Sequence, residues 1–240
     1  MNNKTPTNLI AKLHKTAIDA IQNKENQLAI NTYRKILKIN ERDDSALNNL
    51  AIIYGIEGEN KKKIDLLKKA ILMNPDYSEY YYNIGNAYNY DKRDFLAIIS
   101  FKKAIELDKD HYKAYNNLGN IYINQEKYFE AKICFEKAIS IKPRFASAYN
   151  NLGIISQESN EYNLAIEYFN KAISLDRSYN DSYNNLIYLL QRIGNFDDAL
   201  KISNQYRNIN KWSIKASIYI AQSSNSLGYF HSHPYDKSNK

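Results

Sequence analysis

YKAYNNLGNIYINQEKYFEAKICFEKAISIKPR, residues 112–144, decides the fold, because the rest of the chain repeats it. The stretch holds Tyr115, Leu118, Gly119 and Tyr122, then Tyr128, Ala131, Phe135 and Ala138, and closes on Ile141 and Pro143. A shift of 34 residues returns Tyr149, Leu152, Gly153, Tyr162, Ala165, Phe169 and Ala172, and a second shift returns Tyr183, Leu186, Phe196 and Ala199. In the other direction lie Tyr81, Ile84, Gly85, Tyr88, Ala97, Phe101 and Ala104, preceded by Leu50, Ala51, Tyr54, Leu67, Ala70 and Pro75. One residue type returning at one phase marks a repeat array, in which each unit is stabilised mainly by its neighbours.

The spacing divides the chain into six units, 10–43, 44–77, 78–111, 112–145, 146–179 and 180–213. Each is long enough for two helices of about 12–14 residues joined by short turns. Residues 1–9 read as a flexible leader, and the first unit as a degenerate end repeat with Thr16 at a Leu/Ile phase. Asp43-Asp44-Ser45 is a candidate helix cap, since short side-chain oxygens accept the free amides of a first turn. Asn74-Pro75 ends a helix, because proline lacks the amide hydrogen and restricts its predecessor.

Gly85, Gly119 and Gly153 share one phase. Helical glycine costs roughly 1 kcal/mol against alanine, so its recurrence implies close helix approach. The small Ala97, Ala131 and Ala165 do the same on the second helix, and Phe101, Phe135 and Phe169 fill the volume left. Lys63 stands where other units have alanine, which predicts an apolar stem inside with its ammonium in solvent and a weak junction there. Asp94-Phe95 places its aromatic one residue later than Tyr128 and Tyr162, which predicts a reshaped turn. In the last unit Ser203 and Tyr206 occupy the Phe and Ala phases. Residues 214–222 are expected to belong to a capping helix, and 223–240 to a flexible polar tail.

The motif Tyr115-x-x-Leu118-Gly119-x-x-Tyr122 followed by Ala131-x-x-x-Phe135-x-x-Ala138-x-x-x-x-Pro143 resembles the tetratricopeptide repeat family over about residues 10–213. The resemblance implies an all-α, right-handed superhelical solenoid of antiparallel helix pairs. It also implies a concave groove, lined by the first helix of each unit, that receives an extended or helical segment of a partner protein. The aromatic and small positions are then structural.

What the family pattern does not use is more informative. Asn49, Asn83, Asn117, Asn151 and Asn185 recur one place before the Leu/Ile core position. A carboxamide offers two donors and an acceptor, the complement of a peptide backbone. A ladder of them would hold an extended chain with little regard for its side chains; the alternative is that they tie the inner helices together. The ladder resembles the asparagine-lined groove of the O-linked N-acetylglucosamine transferase repeat domain. Tyr82, Asn86, Lys113, Asn120 and Tyr188 complete the candidate peptide-binding wall, with Tyr82 and Tyr188 as the anchors, since tyrosine gives contact area at low entropy cost. A clamp for a carboxylate terminus needs cations on successive inner helices. Lys113 is the one well-placed cation, and Asn116, Asn117 and Asn151 hold the flanking phases, so docking of chaperone tails is not expected.

The formal charge of +7 raises a nucleic-acid reading. Its lysines, such as Lys61, Lys62, Lys68, Lys69, Lys102 and Lys103, fall on the second helices, which reads as a solvated outer face. No interleaved aromatic and basic pattern of a strand-gripping surface is present, so nucleic acid is not an expected partner. Catalysis is not expected either. Gly55-Ile56-Glu57-Gly58 lacks the Gly-Lys of a phosphate loop, Cys134 has no histidine near it in sequence, and His231 and His233 make only half of a tetrahedral metal site. His14 and His111 read as isolated. Neither metal nor cofactor is called for. A single cysteine, no signal-type N-terminus and no membrane-length apolar run point to the cytoplasm. The reading is a protein-interaction adaptor. Its rivals are a self-associating repeat domain and the substrate-recruiting repeat region of a larger glycosyltransferase-like enzyme.

Overall fold

The computed structural model describes residues 6–209 and 218–223. Twelve helices follow in order: α1 (Pro6–Gln22), α2 (Asn26–Ile39), α3 (Asp44–Ile56), α4 (Asn60–Met73), α5 (Ser78–Tyr90), α6 (Asp94–Leu107), α7 (Tyr112–Asn124), α8 (Tyr128–Ile141), α9 (Ala146–Glu158), α10 (Tyr162–Leu175), α11 (Asn180–Arg192) and α12 (Phe196–Ile209). Residues 218–223 are helical as well. The architecture is an all-α solenoid of antiparallel helix pairs, in two compact units divided after Ile121. In the first, α1 pairs with α2, α3 with α4 and α5 with α6; in the second, α9 pairs with α10 and α11 with α12.

The turn inside each pair repeats without variation. Lys24, Gly58, Lys92, Glu126, Asn160 and Gly194 all have left-handed backbone, with φ between 58° and 79°. At each, the amides two and three residues past the helix reach back to close it: Lys92 N–H donates to the Asn89 carbonyl at 3.0 Å and Arg93 N–H to that of Tyr88 at 2.9 Å. This paired closure satisfies carbonyls that the helix leaves open. It also corrects the expectation of a reshaped turn at Asp94-Phe95. α6 starts at Asp94, in phase with α8 at Tyr128 and α10 at Tyr162, because the closure fixes where the next helix begins whatever its first side chain. Phe95 and Phe129 are equivalent, 74% and 75% exposed.

The core follows the small-and-large pattern. Ala97, Ala104, Ala131, Ala138, Ala165 and Ala172 are fully buried, and so are Phe101, Phe135 and Phe169. A Cβ on Gly85 would stand 2.7 Å from the Phe101 ring, and one on Gly153 2.5 Å from that of Phe169. In the second repeat the partners change but the principle holds. A Cβ on Gly55 would meet Lys63 Cδ at 2.9 Å, so the glycine makes room for the lysine stem that replaces alanine. Burial pushes the Lys63 ammonium below its ordinary pKa. In the sixth repeat the bulk moves one turn. Ser203 is fully buried and donates to the Ala199 carbonyl at 2.7 Å, while Tyr206 stacks on Tyr183 with ring centroids 5.3 Å apart.

Helix ends behave as their residues dictate. Asp43 accepts the Ala46 amide at 2.8 Å and caps α3. α4 stops at Met73 before Asn74-Pro75, and α8 at Ile141 before Lys142-Pro143. α1 begins earlier than the repeat register implies, at Pro6, a residue suited to a first helical position because no amide hydrogen is needed there. Beyond α12, Tyr219 packs on Tyr183, Ile187 and Tyr206, and Gln191 donates to the buried Ser223 hydroxyl at 2.9 Å. The rest of the expected capping helix, Ile214 and Ala216 included, and the tail beyond Ser223 lie outside the described residues.

Candidate functional site

The candidate wall is carried by α3, α5 and the first part of α7 in the first unit, and by α9 and α11 in the second. Helical spacing puts two asparagines side by side at Asn48-Asn49, Asn116-Asn117 and Asn150-Asn151. In each pair the first amide leans on the second, Nδ2 to Oδ1 at 3.3 Å. In two places the next inner helix then closes the link. Asn83 Nδ2 donates to Asn48 Oδ1 at 2.9 Å between α5 and α3, and Asn185 Nδ2 to Asn150 Oδ1 at 3.0 Å between α11 and α9. Ser182 adds a bond to the same Asn150 oxygen at 3.1 Å. Asn117 Nδ2 finds Asn86 Oδ1 at 2.7 Å instead.

Asn83, Asn117 and Asn185 therefore brace neighbouring inner helices. Asn83 and Asn151 are buried, while Asn49, Asn117 and Asn185 are half-buried. Each of the three bracing amides gives a donor to a neighbouring inner helix, because an unpaired amide there would lose its water without compensation. Asn48 and Asn150 are the hubs, and the sequence signal for them is positional: the fifth residue of the helix is also Asn in the fourth and sixth repeats (Asn116, Asn184).

The remaining candidates divide. Tyr188 is 56% exposed and stands clear of the network, and Lys113 is exposed. Asn86 and Asn120 are half-buried. Tyr82 is not a free anchor. Its ring lies 4.8 Å from that of His111 and 6.0 Å from Phe101. His111, far from isolated, is 7% exposed; its Nδ1 accepts the Ala114 amide at 3.3 Å, and its Nε2 stands 3.3 Å from Glu79 Oε2. The signal for it was positional. Tyr77, Phe145 and Tyr179 put a ring immediately before other inner helices, and His111 is the ring at that place. His14 is likewise engaged, with Nε2 3.0 Å from Asp43 Oδ2. The His111 contact, with Lys113 adding its charge, holds the Glu79 carboxyl below the ordinary carboxylate range. Glu79 and Lys113 give the first unit's wall a pair of opposite charges.

Among the described residues no group of three or more His, Cys, Asp or Glu is placed to hold a metal ion, and no helix is long and apolar enough to cross a membrane. Cys134 is buried.

Comparison with known proteins is consistent with this anatomy. Models of the tetratricopeptide repeat match residues 78–111 and 110–178. No curated protein matches the chain. Among solved structures, the MamA protein is 27% identical, with a TM-score of 0.60 over 70% of this chain and 92% of that one. PilF of Pseudomonas aeruginosa is 20% identical, with a TM-score of 0.76 over 90% of this chain and 99% of that one. YrrB, a tetratricopeptide repeat protein with an unusual peptide-binding site, is 21% identical, with a TM-score of 0.57 over 70% and 87%. The last two likenesses speak to the fold alone. With the 34-residue period and the helix pairs it encodes, these matches make residues 78–178 tetratricopeptide repeats, set in an array of helix pairs of the same kind.

Proposed function

We propose that the chain is a protein-interaction scaffold whose inner-helix layer receives an extended or helical segment of a partner protein. The observation that carries this reading is the asparagine bracing. It fixes the inner helices against one another, so that the side chains left outward are held at set spacings and little entropy is lost on binding. Tyr188 in the second unit and Lys113 in the first are the proposed contact residues, with Asn86 and Asn120 beside Lys113. Asn49, Asn83, Asn117, Asn151 and Asn185 act there as supports, and Tyr82 supports through its ring contacts. YrrB, a peptide-binding protein of the same fold, makes such a role natural for this layer. The asparagine phase shared with the O-linked N-acetylglucosamine transferase repeat domain is kept as a likeness of scaffold, not of ligand. A buried lone cysteine suits a reducing cytoplasmic setting.

The test is capture of a partner by the full chain, mapping of the bound segment, and titration of that segment against variants. Tyr188→Ala is expected to weaken it by about 2 kcal/mol, as truncation of an interfacial tyrosine anchor does. Lys113→Ala is expected to weaken it less and to reduce its salt dependence. A segment that binds both variants as it binds the parent, with their helical signal intact, places the interface elsewhere.

A further inference from the structure

The outer layer of the first unit carries a charge that the second unit's does not. α2, α4 and α6 hold ten Lys and Arg residues against Asp65, Asp94 and Glu106. α8, α10 and α12 hold five of each sign. The excess is presented to solvent: Arg34, Lys35 and Lys38 on α2, and Lys61, Lys68 and Lys69 on α4, are all exposed. Two of the ten spend part of their charge locally, Lys62 on Glu59 at 3.2 Å and Lys103 on Glu106 at 2.8 Å.

Apolar side chains protrude between these cations. Leu72 on α4 and Phe95 on α6 are each 74% exposed, and Ile99, one turn after Phe95, is 49% exposed. Between α2 and α4 a cleft of about 520 Å³, with Leu37, Leu47, Leu66 and Met73 inside, opens among Glu41, Arg42 and Lys69. At the phases of Phe95 and Ile99 the second repeat has Lys61 and Asp65, so the packing of the repeat does not call for apolar residues there.

We infer that the outer face of α2, α4 and α6 is a peripheral docking surface for an anionic lipid bilayer. Clustered Lys and Arg are drawn to the negative surface potential of acidic lipids. Projecting leucine and phenylalanine then enter the boundary between headgroups and acyl chains. A polyanion such as nucleic acid would use the cations but leave Leu72 exposed to water. An acidic peptide would find no recess at Phe95 to fill, since the ring projects outward. A bilayer uses both features, and the cleft gives an acyl chain a place where Arg42 and Lys69 outnumber Glu41. The surface belongs to the layer opposite the inner helices of the proposed partner site, and it stands independently of that reading.

Co-sedimentation of the full chain with vesicles of phosphatidylcholine, with and without phosphatidylglycerol, tests it. Binding to the anionic vesicles alone is expected, falling as salt screens the charge. Lys68→Ala and Lys69→Ala together should weaken it by about fivefold per cation removed. Leu72→Ser with Phe95→Ser, both at exposed positions, should abolish the part of binding that survives high salt. Equal binding to neutral vesicles, no binding to anionic ones, or indifference to the lysine pair overturns the proposal. A Leu72→Ser, Phe95→Ser variant that binds as the parent also overturns it, and leaves a surface for soluble polyanions.

Discussion

Gly153 and Gly55 sit in helices, where replacement by alanine ordinarily gains roughly 1 kcal/mol. Their neighbours give the two substitutions opposite outcomes. A Cβ at 153 meets a fully buried phenylalanine ring 2.5 Å away, whereas at 55 it meets the middle of a half-buried lysine chain at 2.9 Å. The ring has nowhere to go; the lysine can swing outward. Gly153→Ala is therefore expected to destabilise by about 1–3 kcal/mol, the usual cost of overpacking. Gly55→Ala should be neutral or stabilising. Thermal melts decide, and Phe169→Leu in the Gly153→Ala background should recover part of the loss. The titrating residue with a built-in partner is Glu79. Its depressed pKa means that its contribution is present at neutral pH and is lost as pH falls through the folded value, below the ordinary carboxylate pKa of about 4.3. Glu79→Gln should lower the melting temperature at neutral pH by a small amount, and the gap to the parent should close in acid. A constant gap down to the acid transition would remove His111 and Lys113 as its stabilising partners.

At the scale of the element, the same left-handed closure ends all six inner helices, yet glycine fills the position only at Gly58 and Gly194. Lys24, Lys92, Glu126 and Asn160 hold it against the Cβ clash that makes this region costly for other residues. Lys92→Gly is expected to stabilise the first unit by about 1 kcal/mol, read as a rise in melting temperature. A fall would mean that the lysine side chain contributes more than its backbone costs. This position also marks a limit of what could be read from the chain. The 34-residue period exposed the helix pairs and their core, because buried residues must recur when identical surfaces stack. The turn conformation stays hidden, since four different residue types tolerate it and glycine marks only two of the six. The misplaced expectation at Asp94-Phe95 has the same origin: an aromatic does not mark a helix start that the backbone sets. The asparagine ladder was visible for its regular phase, but a phase cannot say whether an amide turns to solvent or to the next helix. That choice depends on interhelical distance, which Asn48 and Asn150 settle through bonds across 35 residues of sequence.

At the scale of the whole chain, stability in a repeat array is approximately a sum of unit terms and nearest-neighbour terms, so damage should stay local. Asn150 offers a clean trial, because it is 3% exposed and its one carboxamide oxygen receives both Ser182, fully buried, and Asn185. Asn150→Ala leaves a buried hydroxyl and an amide without their acceptor, at a cost of about 1–3 kcal/mol. The loss falls on the contact between α9 and α11, and through them on α10 and α12, which pair with them. Hydrogen exchange should therefore quicken across α9–α12 while amides in α1–α4, in the other compact unit, keep their protection. Asn83→Ala should do the reverse, loosening α3 and α5 and sparing α11 and α12, because its bond to Asn48 is internal to the first unit. If either variant instead raises exchange evenly along the chain, the array unfolds as one body and the asparagine links stabilise the whole molecule, not the junctions they span.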